Sequence, residues 1–342
     1  MARFFLTLLI ETSSQARAAM ALAALSTIAV ASRAAELPLD SASFRSRYLM
    51  GTVCEVVVDG DLETAEAAFE EIERVERLLS TWRDSSELSR LNQSHGAVVS
   101  GELYTLLGGA MRLARMTEGA FNPLVGPLVE LWKSRREGVV PTPDEIDRVL
   151  PLLELDGPRF DAKSREITLP NGVSFEEGGF GKGYALDLAA ASLESAGAGS
   201  FTIDFGGQLV LRSRQPVEVA IASPERRDEI ALILSVSSGS LSTSSGSEKS
   251  FVIDGESYSH ILDPRNGRAL PPRGSVSVVS ESAMEADALS TALYVMGPAA
   301  GLAWADAHDV AAIFIVPVAK EWDEARIAAL DEEGKKECVD AI

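Results

Sequence analysis

Positive charge is scarce in this sequence: 31 Lys and Arg stand against 51 Asp and Glu in 342 residues, a formal net charge of −20. Affinity for nucleic acid or anionic lipid as a bulk property needs a cationic face, so both are excluded. A phosphorylated ligand would require a local device instead: a bound cation, a helix start or one well-placed lysine. Cysteine is nearly absent. Cys54 and Cys338 are too few and too far apart for a zinc site or a disulfide framework, and Cys54 sits in an apolar strand-like run that suits a buried free thiol. Three histidines, His95, His260 and His308, leave little room for a multi-histidine metal centre. No internal repeat recurs and no Pro/Ser-rich linker divides the chain.

Long apolar runs are missing too. The uncharged stretch Ala18–Ala31 has fourteen residues, short for a membrane span but suited to a signal-peptide core. It follows Arg17 and precedes small residues near Ser32 to Ala35. Residues 1–35 are therefore expected to be a signal peptide or N-terminal extension, with export to a periplasm-like compartment; a cytosolic extension is the alternative. Glu11 interrupts an earlier apolar patch, which makes Met20 or a nearby codon an alternative start. No Cys near the cleavage region offers a lipid anchor. A single domain is expected over 44–320 and a charged peripheral tail over 321–342.

Within the domain, Val53–Asp59 reads as a strand between Gly51 and Gly60. Leu62, Ala65, Phe69, Ile72, Val75 and Leu79 recur at helical spacing. Asp84-Ser-Ser-Glu87 looks like a capping box opening a short helix, and Thr142-Pro143-Asp144-Glu145 a second one. Further helices are expected over 102–116, 182–195 and 284–296. Short strands are expected at 200–204, 208–212, 217–222, 229–236, 275–279 and 310–316, with a tight hairpin near Asp254-Gly255. Helices and hairpins mix instead of alternating, which favours an α+β fold with a largely antiparallel sheet over a doubly wound one.

Three constellations can carry chemistry. In Glu176-Glu177-Gly178-Gly179-Phe180-Gly181-Lys182-Gly183-Tyr184, glycines allow close backbone approach and Lys182 opens a helix whose free N–H groups favour an anion. Tight helix packing explains the same glycines. In Glu285-Ala286-Asp287-Ala288-Leu289-Ser290-Thr291, Asp287 and Thr291 project from one helical face. A carboxylate and a hydroxyl there suit a hard cation such as Mg²⁺, while a helix N-terminal Asp with Thr291 back-bonded to the helix is the simpler alternative. In Ser257–Gly267, a strand delivers His260, a proton acceptor near neutral pH that Asp263 can orient, before an Asp-Pro turn. Met50-Gly51-Thr52, Ser80-Thr81-Trp82, Gly119–Pro123, Asp204–Gly207 and Ser242–Gly246 read as small-residue turns at element ends. Trp82 and Phe121 can stack on an aromatic ligand or pack in the core.

Taken in order across most of Tyr48–Gly297, these segments resemble the ApbE family of FAD:protein FMN transferases. The matching segments are Met50-Gly51-Thr52, Ser80-Thr81-Trp82, Ser86–Asn92, Gly119–Pro123, Glu176–Tyr184, Gly206-Gly207, Ser244–Gly246, Ser259–Gly267 and Ala286–Ala292. The resemblance implies a mixed, largely antiparallel, T-fold-related architecture. It also implies Mg²⁺-dependent transfer of the FMN moiety of FAD to a Ser or Thr hydroxyl of an acceptor protein, with AMP released. Carried over by position, Asp287, Ser290, Thr291 and the Gly181 carbonyl surround the metal, and His260 and Asp287 are catalytic. Met50, Trp82, Ala120, Phe121, Asn122, Gly178, Lys182, Tyr184, Asp187, Ile261 and Arg265 line the flavin site. The implied partner is a membrane-associated or periplasmic redox protein carrying the flavin. The alternatives are an FAD pyrophosphatase giving FMN and AMP, or a non-catalytic periplasmic flavin-binding protein. The chain departs from the family pattern in having Glu176-Glu177 for Asp-Leu, Gly181 for Ala, Trp82 for Tyr, Asn122 for Asp and Ser244 for Thr.

Overall fold

Alternation of inward and outward side chains builds the core sheet. In a computed structural model of the chain, residues 6–8, 42–132, 139–247, 250–253 and 255–316 are described. A short strand β1 (Leu6–Leu8) precedes a hairpin of β2 (Ala42–Leu49) and β3 (Thr52–Asp59). Helix α1 (Leu62–Leu79) starts where the Asp61 carboxylate accepts the Thr64 N–H at 2.8 Å, filling one orphan donor of the first turn. It buries Ala65, Phe69, Ile72, Val75 and Leu79, the stripe its spacing predicts. Next come α2 (Glu87–Ser94), β4 (Gly96–Val98), α3 (Gly101–Met116), α4 (Gly126–Trp132), α5 (Pro143–Val149) and a short 3₁₀ turn, Leu150–Leu153. β5 (Arg159–Asp161) and β6 (Glu166–Thr168) join β4 in a small sheet. Helix α6 (Gly181–Ser195) leads to β7 (Phe201–Phe205), then the long β8 (Gln208–Ala222) and β9 (Ile230–Ser245). Two small ribbons follow, β10 (Ser250–Ile253) with β11 (Glu256–Ser259), and β12 (Leu262–Asp263) with β13 (Arg268–Ala269). The chain then forms β14 (Ser275–Ser280), α7 (Ala283–Met296), α8 (Pro298–Ala307) and β15 (Ala311–Ile315).

The main sheet has eight strands in the order β1-β15-β14-β9-β8-β7-β3-β2. Every pairing in it is antiparallel except β1 with β15, so the fold is α+β with a mixed, largely antiparallel sheet. Cys54, Val56 and Val58 pair across to Phe205, Ile203 and Phe201, and these six join the core under α1, α6 and α7. The alternate residues face away. Leu209, Leu211, Leu241 and Ile315 gather on that second face with Val217, Val219 and Ile221. The register of β8 against β9 shifts between Arg212 and Val217, and past that irregularity the outer ribbon bends over the face opposite the helices.

Differences from the sequence reading have local causes. The two short strands expected at 208–212 and 217–222 are one strand interrupted by that bulge. Helix α2 is capped by Ser86, whose Oγ accepts the Ser89 N–H at 2.9 Å, not by Asp84, because Glu87 turns outward to the Ser100 N–H. At α5 the expected Thr142–Glu145 contact is present: the Thr142 N–H donates to the Glu145 carboxylate at 2.9 Å. Ser242–Ser245 is strand, not turn. The expected signal peptide lies outside the described residues apart from Leu6–Leu8, and the tail 321–342 lies wholly outside them. No helix among the described residues is long and apolar enough to cross a membrane.

Candidate active site

The N-terminus of α6 and the first half of α7 meet backbone to backbone. A Cβ on Gly183 would fall 2.7 Å from both the Ala283 carbonyl carbon and the Met284 Cα, so only glycine permits this approach. The contact is fixed from both sides. Asp187 on α6 accepts hydrogen bonds from the Ser282 hydroxyl at 2.8 Å and from the N–H groups of Ala283 (2.6 Å) and Met284 (3.1 Å), capping α7 from a neighbouring helix. Burial raises the Asp187 carboxyl above its ordinary range despite those donors. In return, the Gly183 N–H donates to Asp287 Oδ2 at 3.1 Å.

Asp287 is only 4% exposed, and no Lys or Arg among the described residues pairs with it. One turn on, the Ser290 and Thr291 hydroxyls both donate to the Asp287 carbonyl, at 3.0 and 3.1 Å. A hydroxyl has one proton and two lone pairs. The Thr291 proton is therefore spent on the backbone, leaving its oxygen lone pairs toward Gly179 and Phe121. A Cβ on Gly179 would lie 3.2 Å from the Phe121 ring and 3.6 Å from Thr291 Oγ1. Ser290 is different. It is fully buried, and its oxygen also meets Ser242 Oγ at 3.2 Å and Ser244 Oγ at 2.8 Å. These contacts tie Ser290 to β9 as well as to the Asp287 carbonyl, so it is more heavily engaged than Thr291.

The glycine turn is tied to the Trp82 loop. Glu177 Oε1 accepts from the Thr81 N–H and the Thr81 hydroxyl, each at 3.1 Å, and Trp82 stands 65% exposed beside this anchor. Nearby, the Met50 N–H donates to Glu76 at 3.3 Å. Met50, Gly51, Glu73, Glu76, Arg77 and Arg83 line a cleft of about 510 Å³. Gly206 closes against the same hairpin: its φ is +62° and a Cβ would sit 2.8 Å from Thr52 Cγ2. Ala120, Phe121 and Asn122 are buried. The Asn122 amide bridges the Leu153 carbonyl (2.8 Å) and the Leu124 N–H (2.9 Å), so it shapes the turn that presents Phe121.

Other expected site residues lie elsewhere or are already engaged. The Tyr184 hydroxyl points to Glu102 at 2.8 Å, in a network with Arg74 on α1; burial and the Glu102 carboxylate raise its pKa. It is a packing residue, not one of this cluster. Asp263 does not orient His260. Its carboxylate holds Arg265 through Nε at 2.9 Å and Nη2 at 3.0 Å, and Asn266 at 3.1 Å. Arg265 in turn reaches the Val295 carbonyl at 3.4 Å, eight residues beyond Asp287 and so roughly 12 Å along the helix. With Arg273, which donates to Val295 O at 3.0 Å, it neutralises the negative end of α7. His260 and Ile261 follow β11; Ser259 lies 3.1 Å from a Cβ built on Gly246, which places this ribbon against the end of β9. Gly178 borders Glu176, and Lys182 sits half-buried in the first turn of α6.

The group fits a hard cation in one way only. Among the described residues no three His, Cys, Asp or Glu side chains converge, so the chain offers one carboxylate, one hydroxyl oxygen and backbone carbonyls. Mg²⁺ keeps waters and shares phosphate oxygens with its ligand, and that incomplete donor set suits it.

Fold and cluster together define an α+β protein in which a glycine turn at the start of one helix packs against Asp287 of another beside a largely antiparallel sheet. The ApbE family model matches residues 50–314, and the chain belongs to the ApbE family. It is 34% identical over 257 residues to the FAD:protein FMN transferase of Vibrio cholerae, covering 72% of this chain and 77% of that protein. The FAD:protein FMN transferase of Treponema pallidum is 32% identical over 283 residues, covering 74% and 78%. Among solved structures, the ApbE protein of Thermotoga maritima superposes with a TM-score of 0.75 at 30% identity, covering 80% of this chain and 94% of that one. The apo flavinyl transferase ApbE of Pseudomonas stutzeri gives 0.73 at 26% identity, covering 82% and 92%.

Proposed function

We propose that this protein transfers the FMN moiety of FAD to a Ser or Thr hydroxyl of an acceptor protein, with Mg²⁺ held by Asp287, Thr291 and a carbonyl of the Gly181 turn. The reading is supported by the relatives' activity and carried by one observation: a buried Asp287 carboxylate with no cationic partner beside a Thr291 oxygen whose lone pairs are free. Isolated buried carboxylates are costly, and a bound cation offsets that cost. In the reaction the acceptor oxygen forms a bond to the FMN phosphorus as the pyrophosphate P–O bond breaks, and AMP leaves with the bridging oxygen. His260 takes the hydroxyl proton. Phe121 and Trp82 offer aromatic faces to the flavin, and Lys182 at the start of α6 attracts phosphate charge. Mg²⁺ neutralises charge developing on the pyrophosphate, which an acidic protein cannot do from its bulk charge. The expected site of action is outside the cytoplasm, on a membrane-associated or periplasmic redox partner, a placement resting on the Arg17–Ala35 sequence.

The test is incubation with FAD, Mg²⁺ and a flavin-acceptor domain. A fluorescent band that survives denaturation, with stoichiometric AMP, is expected; chelator and Asp287→Asn should each abolish it. FAD binding without a labelled band or AMP sinks the proposal. Free FMN formed without acceptor would reassign the protein as a pyrophosphatase.

A further inference from the structure

Beneath Asp287 lies a connected chain of buried polar groups. Gln208 opens β8 and is 3% exposed. Its Nε2 donates to Ser242 Oγ at 3.1 Å. Ser242 Oγ meets Ser290 Oγ at 3.2 Å, and Ser244 Oγ meets it at 2.8 Å. Ser290 donates to the Asp287 carbonyl at 3.0 Å. The chain of contacts thus runs unbroken from the sheet to α7. Gln208 Oε1 is buried without a hydrogen-bond partner, an acceptor left unpaired at the head of the chain. An unpaired buried acceptor is costly, so apolar packing alone would be served better by Leu or Met.

We infer that Gln208 and Ser242 are positioning residues for the transfer reaction, acting through Ser290 to fix the rotation and height of α7 so that the Asp287 carboxylate and the Thr291 oxygen face one cation. The inference rests on the metal assignment proposed above. Ser290 donates to the Asp287 carbonyl while its oxygen is in contact with both β9 hydroxyls, so it ties α7 to the sheet at this point. That carbonyl also receives the Thr291 proton, and so the relay helps hold Thr291 with its lone pairs outward. Outer partners of this kind typically change metal affinity by 10–100-fold when removed.

Gln208→Glu tests the first link of the chain at nearly constant volume. A carboxylate accepts from Ser242 and reverses that link. Ser242→Ala removes the link outright. Mg²⁺ dependence of labelling is measured for each, together with the Mg²⁺-induced rise in Tm, which needs no turnover. Both variants should raise the half-saturating Mg²⁺ concentration by about tenfold and shrink the Tm rise, with the rate at saturating Mg²⁺ nearly unchanged. A lowered Tm with unchanged half-saturation would mean that the groups only pack, overturning the inference alone. A wild-type protein that does not respond to Mg²⁺ overturns the metal assignment and the relay together.

Discussion

Replacing Gly183 by Ala separates two effects of opposite sign. Gly183 lies in the first turn of α6, where Ala is the better helix former by about 0.8–1 kcal/mol. Against that gain, the new Cβ would lie 2.7 Å from the Ala283 carbonyl carbon and the Met284 Cα. Overpacking typically costs about 1–3 kcal/mol, and the upper end applies because the neighbours are backbone that no rotamer change can move. The net is a loss of about 2 kcal/mol, or roughly 4–8 °C in Tm for a domain of this size. Gly108 in α3 is the control, because a Cβ there meets nothing within 4 Å. Gly108→Ala should keep the propensity gain, raising Tm by a few degrees at most. Function sharpens the contrast. Moving α7 off α6 stretches the bond from the Gly183 N–H to Asp287, so Gly183→Ala should also raise the half-saturating Mg²⁺ concentration while Gly108→Ala leaves it alone. Calorimetric melting and the FAD-labelling assay on both variants decide the matter. A Gly183→Ala protein as stable as Gly108→Ala would refute the close helix approach.

Glu102 is held below its ordinary range by the Arg74 guanidinium first and the Tyr184 hydroxyl second, against opposing burial. Its folded pKa is thus depressed: the contribution is present above the unfolded glutamate value and lost as pH falls through the folded one. Glu102→Gln should flatten that acid limb in melting curves; an unchanged limb would remove Glu102 from it. Burial pushes the Cys54 thiol up to about 12, and Asp204 and Glu55 add to the rise, so peptide mapping should find Cys54 unmodified by iodoacetamide at pH 8 until the protein is denatured. Brisk native modification would contradict its burial. Trp82→Ala should leave folding stability within about 0.5 kcal/mol of wild type yet weaken FAD binding by up to roughly tenfold, measured by fluorescence titration; equal affinity would remove Trp82 from the flavin site.

Much of the fold was legible because periodicity reports burial directly. The stripe read from Leu62 to Leu79 matches α1 in its bounds, with Leu62 the one member left exposed, and the apolar run Val53–Asp59 between two glycines marked the strand that pairs with β7. The long β8–β9 ribbon was not legible as one element, since its bulge at 213–216 reads as a break and its outer half is covered by its own fold-back. At the site, spacing placed Asp287 and Thr291 on one face but could not say where hydroxyl protons go. That hid the difference between Thr291, bonded only to its own helix, and Ser290, which also meets two hydroxyls of β9. The contacts of Asp187, Tyr184 and Arg265 were hidden for a related reason. Each is a polar residue beside a motif, and only three-dimensional neighbours show that they cap α7, brace α3 and clamp Asp263. Conversely, Ser242 reads as turn chemistry because serine is among the common turn residues, and its interior contacts appear only once β9 lies against α7.

Two departures from the family pattern are one structural adjustment. Glu177 stands in the position of a leucine and Trp82 in that of a tyrosine, and separately each weakens the resemblance. In the folded protein they are joined by Thr81. The Glu177 carboxylate takes both the N–H and the hydroxyl of Thr81 at 3.1 Å, a charge-assisted pair of the stronger kind. A leucine could make neither bond. The loop that displays Trp82 is therefore anchored to the turn that delivers Gly181 and Gly183 to Asp287. An indole lacks the phenol hydroxyl with which a tyrosine could secure itself, so the loop must be held from below. Glu177→Leu alone should then loosen the Trp82 loop and weaken flavin binding, whereas Glu177→Leu combined with Trp82→Tyr should recover part of the loss. Equal FAD affinity in the single and double variants would show that the two positions are independent.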